Sequence, residues 1–208
     1  MHFWRQDQFV SIRGVVAEAA KVPEWADYFA YCDLLEHGLR KQALVRLENF
    51  ISALLTTPFE QRRRFVSWLY QRVWDTGWLN TFIPHPLNTR ISEPTLREWV
   101  EREPDVAEPH CWLGTIDYLR RAVALDSHSD VICTRFIRCV LGGIDYATHE
   151  LPLCYLGDDP LEDLADLAKA DELLSRVRNA DERVHFAARI IEERTLLNDY
   201  IRSLEASA

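Results

Sequence analysis

A chain of 208 residues with 48% hydrophobic and 27% charged side chains holds enough apolar material for one core, or two small ones, and too much to stay disordered. Its formal charge of −9 repels phosphate unless the basic residues gather on one face, so nucleic acid is not an expected partner. The five cysteines, Cys32, Cys111, Cys133, Cys139 and Cys154, are odd in number and include no C-x-x-C pair, which argues for reduced, mostly buried thiols over a disulfide framework or a zinc site. The N-terminus shows no basic segment followed by an apolar run, and no stretch nears the ~20 apolar residues that span a bilayer. A cytoplasmic chain with no membrane partner is expected.

Apolar residues recur close to every 3.6 positions, the pitch of a helix. The first helix is expected from about Gln6 to Ala20, with Phe9, Ile12, Val16 and Ala19 on one face. Pro23 suits the first position of a second helix, striped by Trp25, Tyr28, Phe29, Cys32 and Leu35 and capped at Gly38. A third helix follows at once, with Leu44, Leu47, Phe50, Ile51, Leu54 and Leu55 turned inward, so the two must fold back on each other. After Thr56-Thr57-Pro58 a fourth helix carries Phe65, Trp68, Leu69 and Val73 and ends near Gly77. Gly77 to Arg90 holds Pro84 and Pro86 and reads as an irregular but apolar loop. A fifth helix follows Ser92, with Leu96, Trp99 and Val100 inward, and stops at Pro104. A sixth is expected from Ala107 to Leu125. A seventh runs from Asp130 to Leu141 and is ended by Gly142-Gly143, leaving Ile144 to Asp158 irregular. Asp159 as cap, Pro160 at the first position and Glu162 three residues after the cap give the eighth helix the clearest start in the chain. Leu164, Leu167, Leu174 and Val177 form its stripe. The last helix spans about Asp181 to Leu204, with Ala187, Ile190, Ile191, Ile201 and Leu204 inward.

About nine helices with short links predict an all-α protein of stacked antiparallel hairpins. The expected organisation is one domain over residues 1–208, with sub-blocks 1–76 and 92–208 joined by a loop over 77–91.

Two stretches look like repeat junctions. One is Glu103 to Gly114, with Leu113-Gly114; the other is Arg121 to Asp130, with Ala122, Leu125 and Asp126. Both resemble tetratricopeptide (TPR) junctions, where small residues let helices approach closely. Asp126-Ser127 stands where Asp-Pro is usual, and the junctions lie closer than the ~34 residues of a TPR unit. Tyr146 to Pro152 and Tyr155 to Asp158 resemble a segment of uncharacterised bacterial TPR-like proteins. The resemblance implies a right-handed α-solenoid or a less regular helical array, and no particular chemistry.

His149-Glu150 lacks the second His of a zinc hydrolase, since position 153 is Leu and Pro152 breaks the helix. Satisfying backbone groups at a helix end is the plainer role for the pair. Cys139 and Cys154 could pair with His149 as nucleophiles, but no oxyanion-hole loop is evident. Gly142-Gly143 lacks the Lys of a phosphate loop. Arg62, Arg63 and Arg64, with Arg72 farther along the helix, form either a solvated face or an arginine clamp for a carboxylate-rich peptide or an anion. The carboxylates from Asp158 to Glu172 stabilise a helix N-terminus, dock a basic partner or form a weak divalent-ion site, though their spacing matches no EF-hand loop. Trp74 and Trp78 could share a face, and one near the 77–90 loop could be an exposed anchor.

These residues lean away from an enzyme. They favour an interaction scaffold that binds a protein or peptide, an acidic one if the arginines are the site, or a homodimer, without metal or cofactor. The alternative is a small enzyme or ligand-binding domain with a site between the 77–90 and 144–158 loops, lined by His85, His149, Glu150, Tyr155 and Asp158.

Overall fold

The computed structural model describes residues 22–76, 82–151 and 153–206. Among them the regular structure is entirely helical, with no strand, so the protein is all-α. The expected first helix, Gln6 to Ala20, lies outside the described residues. The chain divides into two compact units, Met1–Arg102 and Glu103–Ala208.

In the first unit a 3-10 turn at Pro23–Trp25 leads into α1 (Ala26–Glu36). Gly38 ends α1 in the left-handed region at φ +73°. The Gly38 N–H bonds the Leu35 carbonyl at 3.0 Å and the Leu39 N–H bonds that of Leu34 at 2.8 Å. This is the paired bonding of a Schellman cap, and it sends the chain straight into α2 (Arg40–Leu55). The helices α1 and α2 then form a hairpin, joined by α3 (Phe59–Thr76). Tyr28, Phe50 and Phe65 make an aromatic core, with ring centroids 4.7 to 5.5 Å apart. The Tyr28 hydroxyl donates to the Phe82 carbonyl at 2.8 Å.

Two expectations for this unit are corrected. Leu44 and Leu55 are exposed, because the face of α2 that packs is Ala43, Leu47, Phe50, Ile51 and Leu54. Residues 85–90 are helical: one α turn at His85–Leu87 passes into a π turn at Asn88–Ser92 and then into α4 (Glu93–Arg102). The prolines permit this by position. Pro84 caps the turn, and its carbonyl accepts from Leu87 and Asn88. Pro86 falls in the first turn, where a missing N–H costs nothing. Pro94 has no N–H for the Arg90 carbonyl, and the wide π turn just before it takes up its ring.

The second unit holds α5 (Ala107–Leu113), α6 (Ile116–Leu125), α7 (Asp130–Thr148), α8 (Pro160–Leu173) and α9 (Ala180–Glu205). Each packs on the next, and α7 also packs on α9. The expected helix over 107–125 is two helices. Gly114, at φ +73°, breaks it, and a Cβ there would lie 2.7 Å from the Arg135 guanidinium. Conversely, Gly142 and Gly143 do not end α7. The apolar stripe continues past them through Ile144, Ala147 and Thr148, all buried, and that burial outweighs the roughly 1 kcal/mol that each helical glycine costs. Asp159 caps α8 as expected, accepting from the Leu161 N–H at 2.8 Å. The buried stripe of α9 is Phe186, Ile190, Glu193 and Leu197; Ile191 and Leu204 face solvent, contrary to expectation. The helix is rotated so that the carboxylate of Glu193, bonded by Arg189 at 2.7 Å, is carried inward.

Candidate functional site

On α3 the arginines are held by the fold itself. Arg62 is mostly buried, pairs with Glu98 at 2.7 Å and donates to the Thr57 carbonyl at 2.5 Å, tying the start of α3 to α4. Arg63 pairs with Glu60 at 3.1 Å and lays its guanidinium 5.1 Å from the Trp99 ring. Arg64 pairs with Glu24 at 2.8 Å over the Trp25 ring. Arg72 lies 3.5 Å from Asp75. Each cation meets a carboxylate of the same unit, and two also meet an aromatic face. His85 is exposed on its helical turn, where its carbonyl accepts from the Thr89 hydroxyl at 3.0 Å. Trp78 lies outside the described residues.

The other candidates sit in the connection between α7 and α8. His149 caps α7, with its Nδ1 2.6 Å from the Tyr146 carbonyl and its Nε2 3.3 Å from Glu150. Both side chains are about half exposed, so the pair is water-screened. Tyr155 turns to other partners: its hydroxyl donates to the Asp163 carboxylate, and its ring stacks on Tyr200 at 5.3 Å. Burial, then the hydrogen bond to Asp163 and its charge, hold the Tyr155 phenol well above its ordinary range. Burial also raises Asp163, against the lowering effect of the Tyr155 hydrogen bond. Asp158 is exposed. The connection is thus pinned by Tyr155 and folded onto α7, where the Leu156 N–H bonds the Ala147 carbonyl at 2.9 Å. Its Leu153 and Leu156 are exposed, as are Leu161 in the first turn of α8 and Tyr146 near the end of α7.

Sequence reasoning missed these leucines as a surface. Their signal was the apolar run Leu151 to Leu156 directly before Asp158-Asp159. It also missed Arg120, which binds Asp166 with two hydrogen bonds at 3.1 and 2.7 Å and reaches Glu162 at 2.8 Å. That cluster edges an open cleft of about 370 Å³, lined also by Phe136 and Lys169. With three carboxylates around it, counting Asp117 at 3.3 Å, Arg120 is already saturated.

Cys32, Cys111 and Cys139 are not activated as nucleophiles. Burial pushes Cys32 and Cys111 up to about 12 and also raises Cys139, the reverse of thiolate activation. Among the described residues no three His, Cys, Asp or Glu side chains gather as a metal ligand set, and no helix is long and apolar enough to cross a membrane. Comparison with family models, curated proteins and solved structures finds no match.

Proposed function

We propose that this chain works by binding another protein through its helical surfaces and catalyses no reaction. One observation carries the reading: the arginine candidates of α3 are engaged within the fold, while large apolar side chains stand in water. Leu153, Leu161, Val184 and Ile191 are each more than three-fifths exposed in the second unit. Singly such residues are ordinary; several on one small unit offer apolar area that a partner can cover. The packing of each helix of this unit on its neighbour in sequence supports a TPR-like array as the frame.

The test is capture of partners from the native host at low and high salt, followed by reconstitution from purified components. A defined protein that rebinds with fixed stoichiometry in calorimetry is the expected result. Recovery of a small metabolite alone, or of no stoichiometric protein, overturns the proposal.

A further inference from the structure

We infer that the connection between α7 and α8 docks a basic, amphipathic segment of a partner protein. This rests on the protein-binding reading above and adds to it the surface and the chemistry of the occupant. Leu153 is 87% exposed, Tyr146 64% and Leu161 63%, with Leu156 at 40%. They are not a frayed loop. Leu153 N–H bonds the Glu150 carbonyl at 2.9 Å, Leu156 bonds Ala147, and Tyr155 is fixed by Asp163 and Tyr200. The apolar surface is therefore held in place before any partner arrives, which lowers the entropy cost of covering it.

The charges that this stretch of chain itself carries have one sign. From Cys139 to Ala168 the chain has no Lys or Arg, while Asp145, Glu150, Asp158, Asp159, Glu162 and Asp163 all fall there. The cations that reach these groups come from neighbouring helices: Arg189 meets Asp145 at 3.3 Å, and Arg120 meets Glu162. His149 meets Glu150. Asp158 and Asp159 are exposed and take no ion pair among the described residues, and only Asp159 is used as a cap. A segment with leucine-like side chains at helical spacing and lysine or arginine on its flanks complements both the apolar centre and the negative rim. An acidic segment meets like charge, and so does a second copy of this surface.

The probe is a labelled helix-forming peptide of leucine and lysine, with leucines three and four apart, read by fluorescence anisotropy. A leucine–glutamate peptide and a shuffled leucine–lysine peptide accompany it. Saturable, salt-sensitive binding of the first peptide only is expected. Leu153→Asp should weaken it about ten-fold or more, although it adds negative charge, because the loss of one buried leucine outweighs that charge. Glu150→Gln with Asp158→Asn should lower both affinity and salt dependence, and Leu44→Asp in the first unit should change nothing. Equal or tighter binding to L153D, equal binding of the shuffled peptide, or a dimer in light scattering that L153D disperses would each overturn the inference. A host protein that binds L153D as well as the parent refutes this surface but leaves the protein-binding reading standing. Absence of any host protein with the peptide result intact refutes the broader reading, and with it a protein as the occupant of this surface.

Discussion

Replacing Gly114 and Gly142 by alanine should move stability in opposite directions, although both glycines are flanked by apolar helical sequence. At Gly114 the backbone sits at φ +73°, which costs alanine about 1 kcal/mol. The new Cβ would also fall 2.7 Å from the Arg135 guanidinium. Arg135 must then loosen its Nε bond to the Cys111 carbonyl, now 3.0 Å, and its position 5.1 Å over the Trp112 ring. Losing part of each adds about 1 kcal/mol, for a destabilisation of roughly 2 kcal/mol. At Gly142 the backbone is helical and exposed, and a Cβ meets nothing within 4 Å. There alanine should stabilise by about 1 kcal/mol through helix propensity and a less flexible unfolded chain. Urea denaturation of both variants measures the pair of shifts. A neutral Gly114→Ala, or a Gly142→Ala that destabilises, would refute the assignment of the chain break to Gly114 and of helix continuity to Gly142.

Other consequences concern buried groups. Cys32 and Cys111, held as thiols up to about 12 against an ordinary value of 9, stay protonated in the folded chain while the unfolded chain ionises. Stability should therefore be full below pH 9 and fall as pH rises from 9 towards 12, seen as a dropping urea midpoint. A thiol reagent near neutral pH should label exposed Cys154 first, with Cys32 and Cys111 reacting only on unfolding. Glu193 is nearly fully buried against Arg189 and 3.4 Å from the Thr148 hydroxyl. Arg189→Leu should cost about 3 kcal/mol by stranding the carboxylate, whereas Glu193→Leu should cost far less, and chemical denaturation separates the two. The hydroxyls of Ser92 and Thr95 are buried without a hydrogen-bond partner. Ser92→Ala and Thr95→Val should each stabilise by about 1 kcal/mol in the same assay.

Periodicity sufficed for the helices because burial on one face imposes it: α1 to α4 and α7 to α9 follow apolar repeats visible along the chain. What it could not resolve was how glycine and proline act in context. Gly142-Gly143 looks like a stop, but a stripe that continues to Thr148 outweighs two glycines. Gly114 looks like an interior residue, yet its left-handed backbone breaks the helix and Arg135, twenty-one positions on, crowds the place a Cβ would take. Pro84 and Pro86 look like loop markers, yet each falls where a helix tolerates proline. The candidate site was legible as residue types but not as contacts. The arginine triplet was visible, while its partners Glu24, Glu98 and Trp99 come from other elements. Tyr155 was singled out, but nothing local announces that it binds Asp163 and Tyr200. The exposed leucines were hidden because a short apolar run reads the same whether it is buried or presented.

Amide hydrogen exchange of the intact chain, with and without the leucine–lysine peptide, tests most directly whether this molecule offers a preformed surface to another protein. Slowed exchange concentrated between residues 149 and 161 and at the end of α7, with the first unit unchanged, is the predicted pattern. Protection spread evenly along the chain, or concentrated on the arginine face of α3, would contradict it.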